Sequence, residues 1–345
     1  MQKEQIVVRM PNWLGDAVMG TPIVEDIKKD NPQAHLTVLC HSGIKSLLEA
    51  NPHIDDFIAF SRDKKNSPQE KRRIFEALRE KKFDAGLLLT RSFSSAWWFF
   101  RGGVKNRIGF NDHFRKFLLT HPQTVPENEE YEHQVITYKK LLLPLGINPS
   151  QTSPSLHLLP DEIDQAIKAL EGFGILTKEH LVIGVNPGAA FGSAKCWLPE
   201  RFVELNRRLL QTPHVRLLYF GDATGKPLVD DICSHFGPRV VNLAGKTSLR
   251  SFMAYLSICN CLVTNDSGPM HVAAALKTPL VAIFGSTNEI KTGPYASGTI
   301  IHKHVACSPC YKRKCPIDFR CMKSITVDDV FNAILQTVPH DSRFS

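Results

Sequence analysis

Nowhere in the 345 residues do about eighteen apolar residues run together, so no segment is expected to span a bilayer. The opening "MQKEQIVVRM" lacks the charged, apolar and small-residue regions of a secretion signal, which places the chain in the cytoplasm. The cysteines number nine, an odd count, and in a chain without such a signal this argues against a disulfide framework. There is no G-x-x-x-x-G-K-[ST] phosphate loop and no G-x-G-x-x-G dinucleotide fingerprint, which weakens readings based on nucleoside-triphosphate hydrolysis or hydride transfer. Compositional disorder is absent too: 43% hydrophobic and 22% charged residues describe an ordinary globular protein.

A surplus of positive charge is present. The formal net charge of +8 implies an acidic partner, which could be nucleic acid, anionic lipid or a phosphorylated small molecule. The length suits two domains. In the first half, apolar runs ("IVVRM", "HLTVL", "DDFIAF", "DAGLLL") alternate with helical stretches such as "QEKRRIFEALREKK". Such alternation marks strand-helix-strand units around a parallel sheet buried on both faces. From about Thr120 to Pro160 the chain turns rich in proline, serine and asparagine, a loop and then a linker, with room for a hidden strand. The alternation restarts with "LVIGVNPG", "VRLLYFGD", "RVVNLAGKTS", "NCLVTNDSG" and "PLVAIFGST". The expectation is an α/β protein of two doubly wound domains, residues 1–159 and 160–345, with a C-terminal helix free to pack back on the first.

In open parallel sheets ligands settle beyond the carboxyl ends of the strands, and three loops placed there are loaded with chemistry. In "TNDSGPMHVAAALKTPLVAIFGST", a strand ends at Thr264, Asn265 to Ser267 supply capping side chains, and Gly268 with Pro269 opens a helix. A helix start offers unpaired amides and a positive dipole end, enough to hold a phosphate, with His271 one turn in as a further donor. Asp266 as a plain cap and His271 as a core histidine fit equally well. In "VNPGAAFGSAKCWLPERF", the small residues around Gly188 and Gly192 permit close backbone approach, and Lys195 supplies the point charge a diphosphate needs. In "RMPNWLGDAVMGTP", Asp16 meets the helix after the first strand, where an aspartate either caps the helix or takes a proton, the cap being favoured. Pro22 is expected to start or bend a helix at Thr21.

Taken together, "NWLGDAVMGTP", "NPGAAFGSAKCWLPERF" and "TNDSGPMHVAAALKTPLVAIFGST" resemble the ADP-heptose lipopolysaccharide heptosyltransferases of glycosyltransferase family 9, in order and over nearly the whole chain. The "PGAxFGxAKxW" form is most similar to the heptosyltransferase II branch. The resemblance implies a GT-B architecture, two Rossmann-like domains facing across a cleft, and inverting transfer that needs no metal or other cofactor. The donor would be ADP-L-glycero-D-manno-heptose, held by the C-terminal domain, and the acceptor the heptosyl-Kdo2-lipid A inner core, held by the N-terminal domain. Asp16 matches the catalytic base and Lys195 the lysine on the donor phosphates. Gly188, Asp266, Ser267, Gly268 and His271 match further donor contacts, and Asp222 and Thr247 fall in the loops toward adenine and ribose. Two departures touch the placement of Lys195: Cys196 replaces an expected basic or polar residue, and Leu198 is added.

The same resemblance gives the positive charge a use, since the acceptor is polyanionic and lies on the inner leaflet of the inner membrane. Asn12, Trp13, Arg91, Arg101, Lys105 and Arg107 are the acceptor-side residues, with "RDKKN" and "EKRRIF" as further basic stretches facing an anionic surface. The protein is thus expected to be cytoplasmic and peripheral to that membrane. "AWWFF", Ala96 to Phe100, reads either as an interfacial aromatic cluster or, slightly favoured, as a core helix face. Cys307, Cys310, Cys315 and Cys321 stand at C-x2-C-x4-C-x5-C, compatible with a structural zinc site or with reduced thiols packing a loop. Another family 9 enzyme with a different donor or acceptor, such as a heptosyltransferase I- or III-like one, is the alternative. A non-catalytic nucleic-acid-binding protein ranks far below, because the loaded loops lack interleaved basic and aromatic residues.

Overall fold

A computed structural model describes residues 3–61 and 67–338 and divides into two units, Met1–His157 and Leu158–Ser345. The basic stretch at 62–66 lies outside the described residues. The first unit carries strands β1 (Gln5–Arg9), β2 (His35–His41), β3 (Asp56–Phe60), β4 (Ala85–Leu88), β5 (Asn106–Phe110) and β6 (His121–Gln123). They pair throughout in parallel, in the order β3-β2-β1-β4-β5-β6. The second unit carries β7 (Leu181–Asn186), β8 (Val215–Tyr219), β9 (Val240–Asn242), β10 (Cys261–Asn265), β11 (Leu280–Ile283) and β12 (Thr299–Ile301), ordered β12-β11-β10-β7-β8-β9. Counted from β7, this is the winding of the first sheet repeated. The expected α/β class with two doubly wound parallel sheets is therefore what the chain adopts. Each order reverses once, between β1 and β4 and between β7 and β10, and that reversal opens a crevice for ligand at the carboxyl ends.

The apolar runs become strands because helices cover both faces of each sheet: β4, β7 and β10 are buried at every position. In the second sheet Ile183, Val185, Leu217 and Val263 pack with Trp197 and Phe202 from the adjoining helix side. After β1 the helix Leu14–Met19 closes at Gly20 and a second helix, Thr21–Asp30, begins with Pro22 in its first turn, where no amide is needed. A Cβ at Gly20 would come within 2.8 Å of Leu89 Cδ1, so the junction is close-packed.

Several local features refine the sequence reading. The stretch from Thr120 holds β6, an edge strand where Pro122 can sit because its missing donor faces no neighbour. The linker after Gly146 holds no strand among the described residues, and the second unit starts with a helix, Pro160–Gly172, before β7. The C-terminal helix Val327–Thr337 packs on β11, β12 and the helix Pro199–Leu209.

The helix Phe93–Arg101 combines the two readings of "AWWFF" by splitting it. Ala96, Trp98 and Phe99 are buried, whereas Phe93, Trp97 and Phe100 are exposed. All nine cysteines are unbridged.

Candidate active site

In the second unit the switch between β7 and β10 sets Asn186 in register beside Thr264. The Asn186 amide donates to the Gly188 carbonyl at 3.0 Å and reaches the hydroxyls of Ser267 at 3.3 Å and Thr264 at 3.4 Å. Asn265, the last residue of β10, holds the β7 loop at two points: its amide donates to the Pro187 carbonyl at 2.6 Å and its oxygen accepts the Trp197 backbone N–H at 3.0 Å. Trp197 is itself fully buried, its indole donating to the Ile325 carbonyl at 3.0 Å. The loop before it is equally fixed. Gly192 has φ 153°, a Cβ there would strike the Arg313 carbonyl, and the Ala194 amide donates to that carbonyl at 3.1 Å.

Lys195 is therefore presented by a loop pinned on both sides, with Cys196 and Leu198 following it. Its Nζ lies 2.5 Å from Asp266 Oδ2, which also accepts the Thr287 hydroxyl at 2.5 Å. The ammonium stands 5.0 Å from the centre of the Phe191 ring. Cys196 faces the Gly192 carbonyl, and burial pushes its thiol above the ordinary range.

The helix Gly268–Ala275 starts beside this pair, and the capping expected from Asn265 to Ser267 does not occur. Ser267 occupies the cap position but makes no side-chain cap bond; its hydroxyl lies 3.1 Å from that of Thr264. Asn265 serves the loop and Asp266 serves Lys195, which disposes of Asp266 as a plain cap. His271 is buried in the first turn, with Gly268 half-buried ahead of it. An ammonium next to a helix start without a side-chain cap is an arrangement that binds anions. Asp222 and Thr247 lie farther along the sheet, beyond β8 and β9. Asp222 is exposed and accepts the Gly225 amide at 2.7 Å, while Thr247 is half-buried just before the helix Leu249–Ile258.

In the first unit Asp16 is not a cap. Trp13 takes the cap position of Leu14–Met19 and Asp16 sits in the first turn, half-buried, where the helix dipole favours a carboxylate. Burial first, and then the charge of Asp16, hold the Tyr138 phenol well above its ordinary pKa. The preceding loop rests on residues the sequence reading passed over. Arg9, fully buried under Phe60 and Trp98, donates to Asn12 Oδ1 at 2.8 Å, and a ring nitrogen of His41 lies 2.8 Å from the Asn12 carbonyl. Burial lowers the Arg9 guanidinium to about 10. Trp13 itself is half exposed.

Arg91 follows β4, the strand next to β1 at the switch, and forms a two-pronged pair with Glu129 while lying 3.6 Å from Asp112. Arg101, Lys105 and Arg107 are not gathered with it. They stand at the amino edge of the sheet: Lys105 pairs with Asp84 at 2.8 Å just ahead of β5, and Arg107 donates to the carbonyls of Leu118 at 2.7 Å and Val104 at 2.6 Å. The expected acceptor set thus divides, with Asn12, Trp13 and Arg91 on the side of Asp16 and the other three at the opposite end of the strands.

Burial raises the Cys321 thiol, and Cys307, Cys310 and Cys315 stand near enough to raise it further, without three of these sulfurs coming within 4.8 Å of one another. Among the described residues the group of three or more ligand atoms within 4.8 Å of one another is Glu289, His302 and His304. The Cys315 sulfur accepts the Phe319 amide at 3.3 Å.

Comparison with known proteins gives one consistent picture. Residues 71–319 match the model of glycosyltransferase family 9 (heptosyltransferase). Lipopolysaccharide heptosyltransferase 2 of Salmonella typhimurium is 31% identical over 299 residues, covering 84% of this chain and 85% of that protein. Lipooligosaccharide heptosyltransferase 2 of Campylobacter jejuni is 28% identical over 333 residues, covering 94% and 96%. The solved structure of the Escherichia coli ADP-heptose lps heptosyltransferase II superposes with a TM-score of 0.84 at 26% identity, over 98% of this chain and 99% of that one.

Proposed function

The chain belongs to glycosyltransferase family 9, the heptosyltransferases, and on that premise we propose that it transfers L-glycero-D-manno-heptose from ADP-heptose to the heptosyl-Kdo2-lipid A inner core of lipopolysaccharide. The observation that carries this reading is the seating of Lys195 beside the start of Gly268–Ala275, an anion cradle built from one ammonium and a helix end. In this reading residues 160–345 hold the donor and residues 1–159 the acceptor.

The acceptor hydroxyl oxygen attacks the anomeric carbon while the bond to ADP breaks on the opposite face, so the configuration inverts. Asp16 takes the hydroxyl proton. Charge gathering on the departing diphosphate is met by Lys195 and the backbone amides around Gly268, aided by His271 and Ser267. Fixed donors aimed at developing charge are the largest catalytic contribution in many enzymes, and here they stand in for a divalent metal. Gly188 lets the donor approach the β7 loop, Asp266 keeps the lysine aimed, and Asp222 and Thr247 face the nucleoside. On the acceptor side Asn12, Trp13 and Arg91 line the approach to Asp16.

Arg101, Lys105 and Arg107 have a different use, at the inner face of the membrane that carries the acceptor. Phe93 and Phe117, 6.1 Å apart between ring centres, and Trp97 and Phe100, 5.7 Å apart, are exposed, with Arg101 over Trp97 and Arg107 over Phe100. Exposed aromatic rings flanked by cations suit an anionic bilayer interface. Among the described residues no helix is long and apolar enough to cross a membrane. The test of the reading is a product assay with ADP-heptose and defined inner-core acceptors. ADP release and a product one heptose heavier support it, whereas turnover only with another nucleotide sugar or another acceptor moves the enzyme elsewhere in family 9.

A further inference from the structure

Outside the transfer site, the carboxyl edge of the second sheet gathers two imidazoles and a carboxylate. Glu289 opens the short helix Glu289–Thr292 after β11, and His302 and His304 follow β12, its parallel neighbour. His302 Nδ1 lies 2.8 Å from Glu289 Oε2, and His304 Nε2 lies 3.6 Å from Glu289 Oε1. The two rings are 4.2 Å apart between centres. The His302 side chain is 4% exposed, that of Glu289 17%, and that of His304 71%, so the group is buried on one side and open on the other.

The hydrogen bonds favour one tautomer of His302. The Ser308 hydroxyl donates its one hydrogen to the Gly285 carbonyl, which can only accept. His302 Nε2, 2.9 Å from the same hydroxyl oxygen, must then be the donor of that contact. In a neutral imidazole the other nitrogen, Nδ1, is left with a lone pair, and here it points at a carboxylate oxygen 2.8 Å away. Two facing lone pairs are relieved either by a second ring proton, which makes an imidazolium–carboxylate pair, or by a metal ion bound by both groups. The second is favoured by the company His302 keeps: His304 brings another ring nitrogen toward the same carboxylate, and the three ligand atoms lie within 4.8 Å of one another. Two neutral imidazoles and one carboxylate make a three-ligand set with an open fourth position. The Ser308 contact supplies the outer partner that orients a metal-bound histidine.

We propose that Glu289, His302 and His304 bind a divalent transition-metal ion, and imidazole donors select zinc over magnesium or calcium. The ion ties the β11 loop to the segment after β12. That loop carries Thr287, two positions before Glu289, whose hydroxyl bonds Asp266. The metal therefore stiffens the loop behind the Lys195–Asp266 pair without touching it, and the assignment does not rest on the transfer reaction. Lys303, between the histidines, is paired with Asp329 at 2.8 Å.

The test uses the full chain, stripped with a chelator and titrated with zinc by calorimetry and with cobalt by absorption. The expected result is a single equivalent of zinc, and a cobalt spectrum without a thiolate-to-metal charge-transfer band. Binding is unchanged when Cys307, Cys310, Cys315 and Cys321 are replaced together by serine. His304→Ala, at an exposed position that spares the fold, abolishes or strongly weakens binding, and Ser308→Ala weakens it about 10- to 100-fold. Absence of zinc uptake, a thiolate band lost with the cysteines, or undiminished affinity in His304→Ala overturns the proposal.

Discussion

Lys195 and Thr287 converge on one oxygen of Asp266, each at 2.5 Å, although the three residues come from the loops after β7, β11 and β10. The carboxylate is nearly inaccessible, with 5% of its side chain exposed, while the lysine retains 14%. The pair thus holds an ammonium within a few residues of the start of Gly268–Ala275, where the proposed reaction would have a diphosphate share it.

Replacing that ammonium gives the first prediction. Lys195→Met should weaken ADP binding about 10- to 100-fold, the range of a hydrogen bond to a charged group, with the fold retained. Asp266→Asn, which keeps an oxygen for Thr287 and Lys195, should weaken it less. Calorimetric titration of ADP into each variant checks both the size and the ranking.

A backbone prediction follows from Gly192. With φ 153° and the Arg313 carbonyl where a Cβ would sit, Gly192→Ala must displace the loop that presents Lys195. Strain of this kind costs about 1–3 kcal/mol, so donor KM should rise while the melting temperature falls by a few degrees. Steady-state kinetics beside thermal melts of the same preparation test it.

How much of this was legible in the sequence depends on the distance over which each signal acts. The doubly wound sheets were legible because buried parallel strands leave unbroken apolar runs, such as those of β7 and β10, bounded by glycine, asparagine and proline. The helix restart at Thr21 was legible from Pro22 alone. The helix Pro160–Gly172 was also available, since Pro160, Glu162 and the spacing of Ile163, Ala166 and Leu170 are local signals, yet the linker composition obscured it. β6 was hidden by its own Pro122. The partners of Arg9, Arg91, Lys105 and Arg107 were not legible, because an arginine that props up a loop and one that meets a phosphate look alike until the chain is folded. For the same reason Asp16 read as a cap, whereas Trp13 occupies the cap position and Asp16 the first turn.

The Glu162–Arg250 pair makes stability depend on pH in a stated direction. Arg250 donates to both carboxylate oxygens of Glu162, one at 2.7 Å, joining the helices Pro160–Gly172 and Leu249–Ile258. This contact, ahead of any other cause, holds the Glu162 carboxyl below its ordinary value of 4.5. A carboxyl depressed on folding adds stability above its unfolded value, and that stability is lost as pH falls through the lower folded one. Glu162→Gln should therefore lower the melting temperature at neutral pH, with the gap from wild type closing as pH drops below 4.5. Melts across that range decide it.

For the exposed aromatic face, Trp97→Ser with Phe100→Ser should reduce binding to anionic vesicles severalfold and leave ADP binding intact. Both side chains lie outside the first-sheet core that holds Trp98 and Phe99. Vesicle co-sedimentation at low and physiological salt checks this, and equal binding by wild type and variant would remove the face from membrane contact.

The most direct test concerns Asp16 as the base. Wild type and Asp16→Asn are each given ADP-heptose and a heptosyl-Kdo2-lipid A acceptor, and product is followed beside ADP affinity. The account predicts unchanged ADP affinity and transfer slowed by about 100- to 10,000-fold, the usual contribution of a positioned base. Transfer at the wild-type rate by Asp16→Asn would contradict it.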